Sequence, residues 1–189
     1  ATSLAWLGLS QGDAVGASVF DEQVRTSVPA RTNRSHLSSL IAGLEKPRQK
    51  HCSDFHAVLR NLAENLPRRG LVIIFSDLFG EREALYKGLQ VLRQRGHDVA
   101  ICHVLDDDEL DFPFDGPTRF EGLELGGEIS CNPRALRDGY LQAMEQFLGE
   151  VRHRSAASQC DYQLVRTSQA VDKTLVNFLS RRSKTRGRS

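Results

Sequence analysis

The chain has 189 residues, 40% hydrophobic and 26% charged, with a formal net charge of +1. That length suits one domain with a buried core, and that composition excludes a disordered chain. The near-neutral charge excludes a bulk electrostatic drive toward nucleic acid or an anionic membrane, no apolar run approaches the ~18 residues of a membrane helix, and the first residues lack the basic start of a signal peptide.

Residues 1–11 (ATSLAWLGLSQ) read as the end of a helix with Leu4, Leu7 and Trp6 inward, broken by Gly12 and Asp13. AVGASVFD (14–21) is strand-like, and the turn Asp21–Glu22–Gln23 leads into VRTSV (24–28), which stops at Pro29; together they predict a hairpin. Ser35 can cap a helix to about Glu45, because Leu37, Leu40, Ile41 and Leu44 recur at helical spacing. Ser53 or Asp54 opens another helix, with Phe55, Val58, Leu59, Leu62 and Leu66 on one face.

LVIIF (71–75) lacks alternation, as a strand covered on both faces of a parallel sheet does. A helix over 81–95 returns the chain, Gly96 suits its C-cap, and DVAICHVL (98–105) is a second strand of the same kind. Residues 106–118 are an acidic, Pro-containing loop, and 119–131 a small hairpin turned at Gly126–Gly127. Asn132 and Pro133 start a long helix to about Arg154 with Leu136, Tyr140, Met144, Phe147 and Val151 on its apolar side. DYQLVRT (161–167) is a last strand, and a helix over 170–181 turns Val171, Leu175, Phe178 and Leu179 inward. The alternation of strand and helix predicts one α/β domain with helices on both faces of the sheet, over residues 1–182, followed by a basic flexible tail, 183–189.

Four cysteines stand far apart with no CxxC, which suits free thiols in a reducing cytoplasm better than a disulfide framework. Phosphate-binding, dinucleotide-binding, nucleophile-elbow and zinc-protease motifs are absent. His51, Cys52 and His56, and Cys102 beside His103, fit no common zinc spacing, and His103 reads as a hydrogen-bonded core histidine. Asp77 is placed differently. It ends a strand and precedes a helix, at the edge where open α/β sheets hold ligands; a helix cap is the plainer alternative.

The phrases QGDAVGASVFDE (11–22), RGLVIIFSDLF (69–79), RGHDVAICHVLDDDELDFPFDGPTRFEGLE (95–124) and CDYQLVRTSQAVDKTLVNFLSRR (160–182) resemble the carboxyl-terminal half of a bacterial family, domain of unknown function fifty-eight. The resemblance implies a Rossmann-like von Willebrand factor A domain with a central, mostly parallel sheet and the hairpin strand 24–28 at an edge. It further implies a Mg²⁺ adhesion site in which hard oxygens leave one position open for a partner's carboxylate. By position, Asp77 matches the third-loop Asp of that site and Ser53 its second-loop hydroxyl. The first-loop DxSxS, and the central strand that carries it, have no counterpart here. The chain also starts at Ala1 without Met, so it reads as a processed product or a piece of something longer.

The resemblance implies a non-enzymatic, cytoplasmic protein-interaction domain, partnered by a MoxR-type AAA+ ATPase in assembly or maturation of other proteins, with no nucleic acid and no membrane in this segment. Mg²⁺ is expected in a full-length parent, and no cofactor in this chain. The alternative is a metal-dependent hydrolase using Asp77 and the acidic loop Asp106–Glu109, with Asp111 and Asp115 as further candidates. A nucleic-acid module using the basic tail is disfavoured by the net charge.

Overall fold

The computed structural model describes residues 1–21, 24–45, 55–66, 69–121 and 127–186. Seven helices and seven strands are present among them: α1 (Thr2–Ser10), β1 (Val15–Phe20), β2 (Val24–Arg31), α2 (His36–Leu44), α3 (Phe55–Asn65), β3 (Leu71–Ser76), α4 (Arg82–Gln94), β4 (Asp98–Leu105), α5 (Asp107–Asp111), β5 (Thr118–Glu121), β6 (Glu128–Cys131), α6 (Pro133–Ala157), β7 (Asp161–Arg166) and α7 (Val171–Arg186). The centre is an all-parallel sheet of order β3-β4-β7, in which Leu71 pairs with Asp98 and Ala100 with Asp161. Its crossovers carry helices, as parallel strands require.

One sheet face packs Val99 and Ile101 against Leu59 and Ala63 of α3, Leu85, Leu89 and Leu92 of α4, and Val151 of α6. The other packs Ala100 and Cys102 against Leu4 of α1 and Phe178 of α7. This confirms the α/β fold class, and it explains the apolar DVAICHVL: β4 is the middle strand with a helical layer on each face.

The two other sheets are two-stranded. In the hairpin β1-β2, Val15 faces Arg31 and Ala17 faces Val28, leaving Gly16 opposite two residues, Pro29 and Ala30. The strand therefore runs through Pro29 instead of stopping there, because a bulge on an edge strand tolerates a residue without N–H. A Cβ at Gly16 would lie 2.8 Å from the Val28 carbonyl oxygen, so the bulge excludes a side chain there. Among the described residues this hairpin is not hydrogen-bonded to the central sheet. Among the described residues β3 pairs only with β4, and it is the edge of the sheet. The expectation that β3 is covered on both faces is thus corrected. Ile74 is buried, but Leu71 is 45% and Phe75 38% exposed on the α1/α7 side.

Other expectations change locally. Trp6 and Leu136 point outward, at 58% and 50% exposure, and Val171 and Leu179 are exposed rather than inward. Ser35 precedes α2 without a side-chain cap; the Asn33 carboxamide oxygen instead accepts the Ser35 N–H. The acidic segment after β4 is not all loop. Asp106 and Glu109 form a reciprocal capping box that starts the short helix α5. Helix α7 continues to Arg186, so residues 183–186 are helical rather than tail. Asn132 caps α6 through the Arg134 N–H, and Gly96 turns out of α4 at φ +85°, both as expected. Cys102 and Cys160 are buried free thiols and Cys131 is a half-buried one, while Cys52 lies outside the described residues.

The close approach of α3 and α4 depends on Gly88. A Cβ there would stand 2.7 Å from both Cβ and Cδ1 of Leu59. Gly88→Ala gains helix propensity of about 0.5–1 kcal/mol but forces two packed helices apart. A net loss of about 1–2 kcal/mol in urea unfolding is expected; equal or greater stability would show that the two helices do not meet at this point.

Candidate functional site

The carboxyl edge of the parallel sheet gathers the turn after β3, helix α5 after β4, and the turn after β7. The β3–α4 turn is held by three side-chain bonds. Ser76 Oγ accepts the Leu78 N–H at 3.1 Å, and Asp77 Oδ1 accepts the Phe79 N–H at 3.1 Å. His103 Nε2 reaches the Asp77 carbonyl oxygen at 2.7 Å. Leu78 adopts φ +60° while fully buried. A bulky residue in the left-handed region costs roughly 1–2 kcal/mol, so burial and these bonds hold the chain in a turn it would otherwise leave. The effect is to present the Asp77 carboxylate to solvent beside Phe79, which is 49% exposed and stacked on Phe147 with ring centroids 5.4 Å apart.

His103 is the expected core histidine. It is fully buried in β4, its Nδ1 lies 2.9 Å from the Tyr162 hydroxyl, and its ring meets Phe147 edge-on. Burial pushes its pKa below the ordinary value, against the opposing pull of the Asp77 carbonyl. Burial also pushes the Tyr162 hydroxyl up to about 12. A carbonyl oxygen only accepts, so Nε2 carries the ring proton and the neutral Nδ1 accepts from the tyrosine.

Of the neighbouring carboxylates, Asp108 is exposed, and the others are engaged within the chain. Arg166 Nη1 donates to Asp107 at 2.7 Å and to Asp111 at 2.8 Å. Asp106 accepts from Thr167 Oγ1 at 2.5 Å and from the Asp108 N–H at 3.0 Å. Glu109 accepts the Asp106 N–H at 2.7 Å, and Asp115 pairs with Arg134. The pKa values of Asp106, Asp107, Asp111 and Asp115 are accordingly depressed, Asp106 first by Thr167, Asp107 by Ser168 and then Arg166, Asp111 by Arg166, and Asp115 by Arg134. Arg137 donates to the Asp111 and Phe112 carbonyls and Tyr140 to that of Glu109, which fastens α5 to α6. The segment is thus a brace between β4, β7 and α6. Its capping box was readable as D-x-x-E, but its Arg166 partner 55–59 residues away was not.

Ser53, the second candidate ligand, lies outside the described residues, as do His51 and Cys52 and the His56 side chain. The described residues do not by themselves fit a magnesium centre. Asp77 brings one carboxylate, one oxygen of which already accepts from Phe79, and no group of three or more His, Cys, Asp or Glu side chains is placed to share a cation among the described residues. Magnesium demands a near-octahedral set of oxygens.

These features define a class: an α/β domain consistent with the von Willebrand factor A type, whose carboxyl edge presents Asp77 to solvent from an ordered turn. Residues 1–147 match the family described as "Protein of unknown function DUF58", and the chain belongs to that family. Uncharacterized proteins of Mycobacterium bovis and Mycobacterium tuberculosis are each 26% identical over 187 residues, covering 96% of this chain and 58% of their own length. The chain thus spans somewhat over half of the curated relatives it matches. Among solved structures, the conserved hypothetical protein BatB from Bacteroides thetaiotaomicron superposes with a TM-score of 0.59 at 16% identity, covering 97% of this chain and 86% of that one. An aerotolerance-related membrane protein from Bacteroides fragilis gives 0.57 at 15%, covering 93% and 84%. These likenesses establish a shared fold. No helix among the described residues is long and apolar enough to cross a membrane.

Two outcomes follow for the site. Calorimetry on the 189-residue chain is expected to show Mg²⁺ binding no tighter than about 1 mM; micromolar affinity would contradict the incomplete ligand set. Depressed carboxyl pKa values add stability that is present above the unfolded pKa, near 4, and lost as pH falls through the lower folded values. Urea midpoints should therefore drop between about pH 5 and pH 3, and Arg166→Met should flatten that drop. An unchanged pH profile in Arg166→Met would remove Arg166 as its source.

Proposed function

We propose that this chain is a non-enzymatic protein-interaction domain that docks partners through the carboxyl edge around Asp77. The observation that carries the reading is the contrast among carboxylates. Those of Asp106, Asp107, Glu109, Asp111 and Asp115 are engaged internally and Asp108 is exposed on the short helix α5, whereas Asp77 faces solvent from a strained, well-braced turn beside an exposed aromatic ring. An acidic group next to an apolar anchor is the chemistry of a docking spot. It gives little support to the hydrolase alternative, which needs several free carboxylates converging on one reacting centre.

The resemblance of the family phrases supplies the partner, a MoxR-type AAA+ ATPase, and a role in assembly or maturation of other proteins in the cytoplasm. A neighbour called an aerotolerance-related membrane protein suits work close to a membrane. The bare edge of β3 and the separate hairpin support one further element of the reading. A strand from outside these 189 residues seats between β1 and β3, and brings the oxygens that would complete a Mg²⁺ site with Asp77 and Ser53.

The test is affinity capture from the source cell, with the full-length parent as bait. An AAA+ ATPase should be recovered, and recovery should fall at least about tenfold with Asp77→Ala. Capture without any AAA+ ATPase would refute the partner, and capture indifferent to Asp77→Ala would refute the docking edge. Phosphatase or nuclease turnover with Mg²⁺ or Mn²⁺ that is abolished in Asp77→Ala would replace this reading with the hydrolase.

A further inference from the structure

The buried ring of His103 spans two elements that the backbone does not connect directly. Its Nε2 holds the main chain of the β3–α4 turn at Asp77, and its Nδ1 meets the hydroxyl of Tyr162 on β7. Strands β7 and β4 and the turn that leaves β3 therefore meet in one line of hydrogen bonds, Tyr162–His103–Asp77, which runs beneath the exposed aspartate. A leucine or phenylalanine would fill the same volume. What the imidazole adds is one donor aimed at a carbonyl and one acceptor aimed at a hydroxyl. Among the described residues the ring is what pins the Asp77 carbonyl, since the Ser76 and Asp77 side chains satisfy only the N–H groups of Leu78 and Phe79. The left-handed Leu78 follows immediately, so releasing that carbonyl frees the peptide whose rotation would relax the turn.

We propose that His103 is a positioning residue for the Asp77 turn, with Tyr162 fixing the ring in the Nε2-protonated tautomer. The line of bonds sets the direction in which the Asp77 carboxylate leaves the sheet and couples it to β7. That the turn serves docking rests on the function proposed above; that His103 orders it does not.

The test is nuclear magnetic resonance on the full 189-residue chain. Long-range ¹⁵N–¹H correlation should show a neutral His103 ring protonated at Nε2. In His103→Leu, hydrogen exchange at the Leu78 and Phe79 amides should accelerate at least about tenfold more than at Ile101 in the sheet centre. His103→Gln, whose amide can donate to the same carbonyl, should bring both turn amides back to within about threefold of the wild type. A role limited to filling space would speed exchange evenly and would not be rescued by glutamine. Tyr162→Phe keeps the ring in place, serves if His103→Leu fails to fold, and should produce mixed His103 tautomers with faster exchange at Phe79. An Nδ1-protonated or cationic ring in the wild type, turn amides that keep wild-type exchange in Tyr162→Phe, or no rescue by glutamine would each overturn the proposal. Capture of a partner reports separately: Asp77→Ala that leaves capture intact sinks the docking function while these exchange results stand.

Discussion

Strand β4 is paired along its length with β3 on one side and β7 on the other, and helices cover both of its faces. A polar side chain inside such a strand must find its partners within the protein, because an unpaired buried donor or acceptor costs about 1–3 kcal/mol. His103 satisfies both ring nitrogens, one with the main chain that leaves β3 and one with a hydroxyl on β7. The geometry of the carboxyl edge depends on that constraint. The Asp77 turn is ordered because the sheet beneath it must place an imidazole, and the aromatic layer of Phe147 and Phe79 stacks over the same point.

The second governing feature is the edge position of β3 among the described residues. Among the described residues the three parallel strands end at β3, and the β1-β2 hairpin forms a sheet of its own, with Phe20 packed against the central core. An apolar strand at a bare edge is a liability that proteins ordinarily cover or charge, yet LVIIF carries neither charge nor proline. Its composition belongs to an interior strand. Leu71 and Phe75 accordingly stand as exposed apolar surface along that edge.

Much of the fold was legible because period and punctuation agreed. Strands 71–76 and 98–105, the Asn132–Pro133 start and the Gly96 stop all follow from local chemistry. What failed was information about neighbours. The two-sided hydrophobicity of Leu71–Phe75 correctly indicates a strand, but not that among the described residues it pairs on one side only. Trp6 and Leu136 obey helical spacing yet remain about half exposed. Pro29 ends a strand in most contexts, and only the Gly16 bulge opposite makes it harmless. At the site, Asp77 could be placed by its position after a strand. The partners of Asp107 and Asp111 could not, since Arg166 comes to them through the parallel order of β4 and β7. His103 could be read as core, but its bond to the Asp77 carbonyl lies between residues 26 apart and had no sequence signal.

Fold, site and proposed function meet in one claim: the chain holds an ordered aspartate at the carboxyl edge of a parallel sheet whose β3 side is open among the described residues. Residue-resolved hydrogen exchange of the 189-residue chain tests it most directly. Alternate amides of Leu71–Ser76, those turned away from β4, should exchange at least about a hundredfold faster than Ile101, Cys102 and His103. Uniform protection across β3, equal to that of β4, would contradict the account, because it would mean that the edge is already covered.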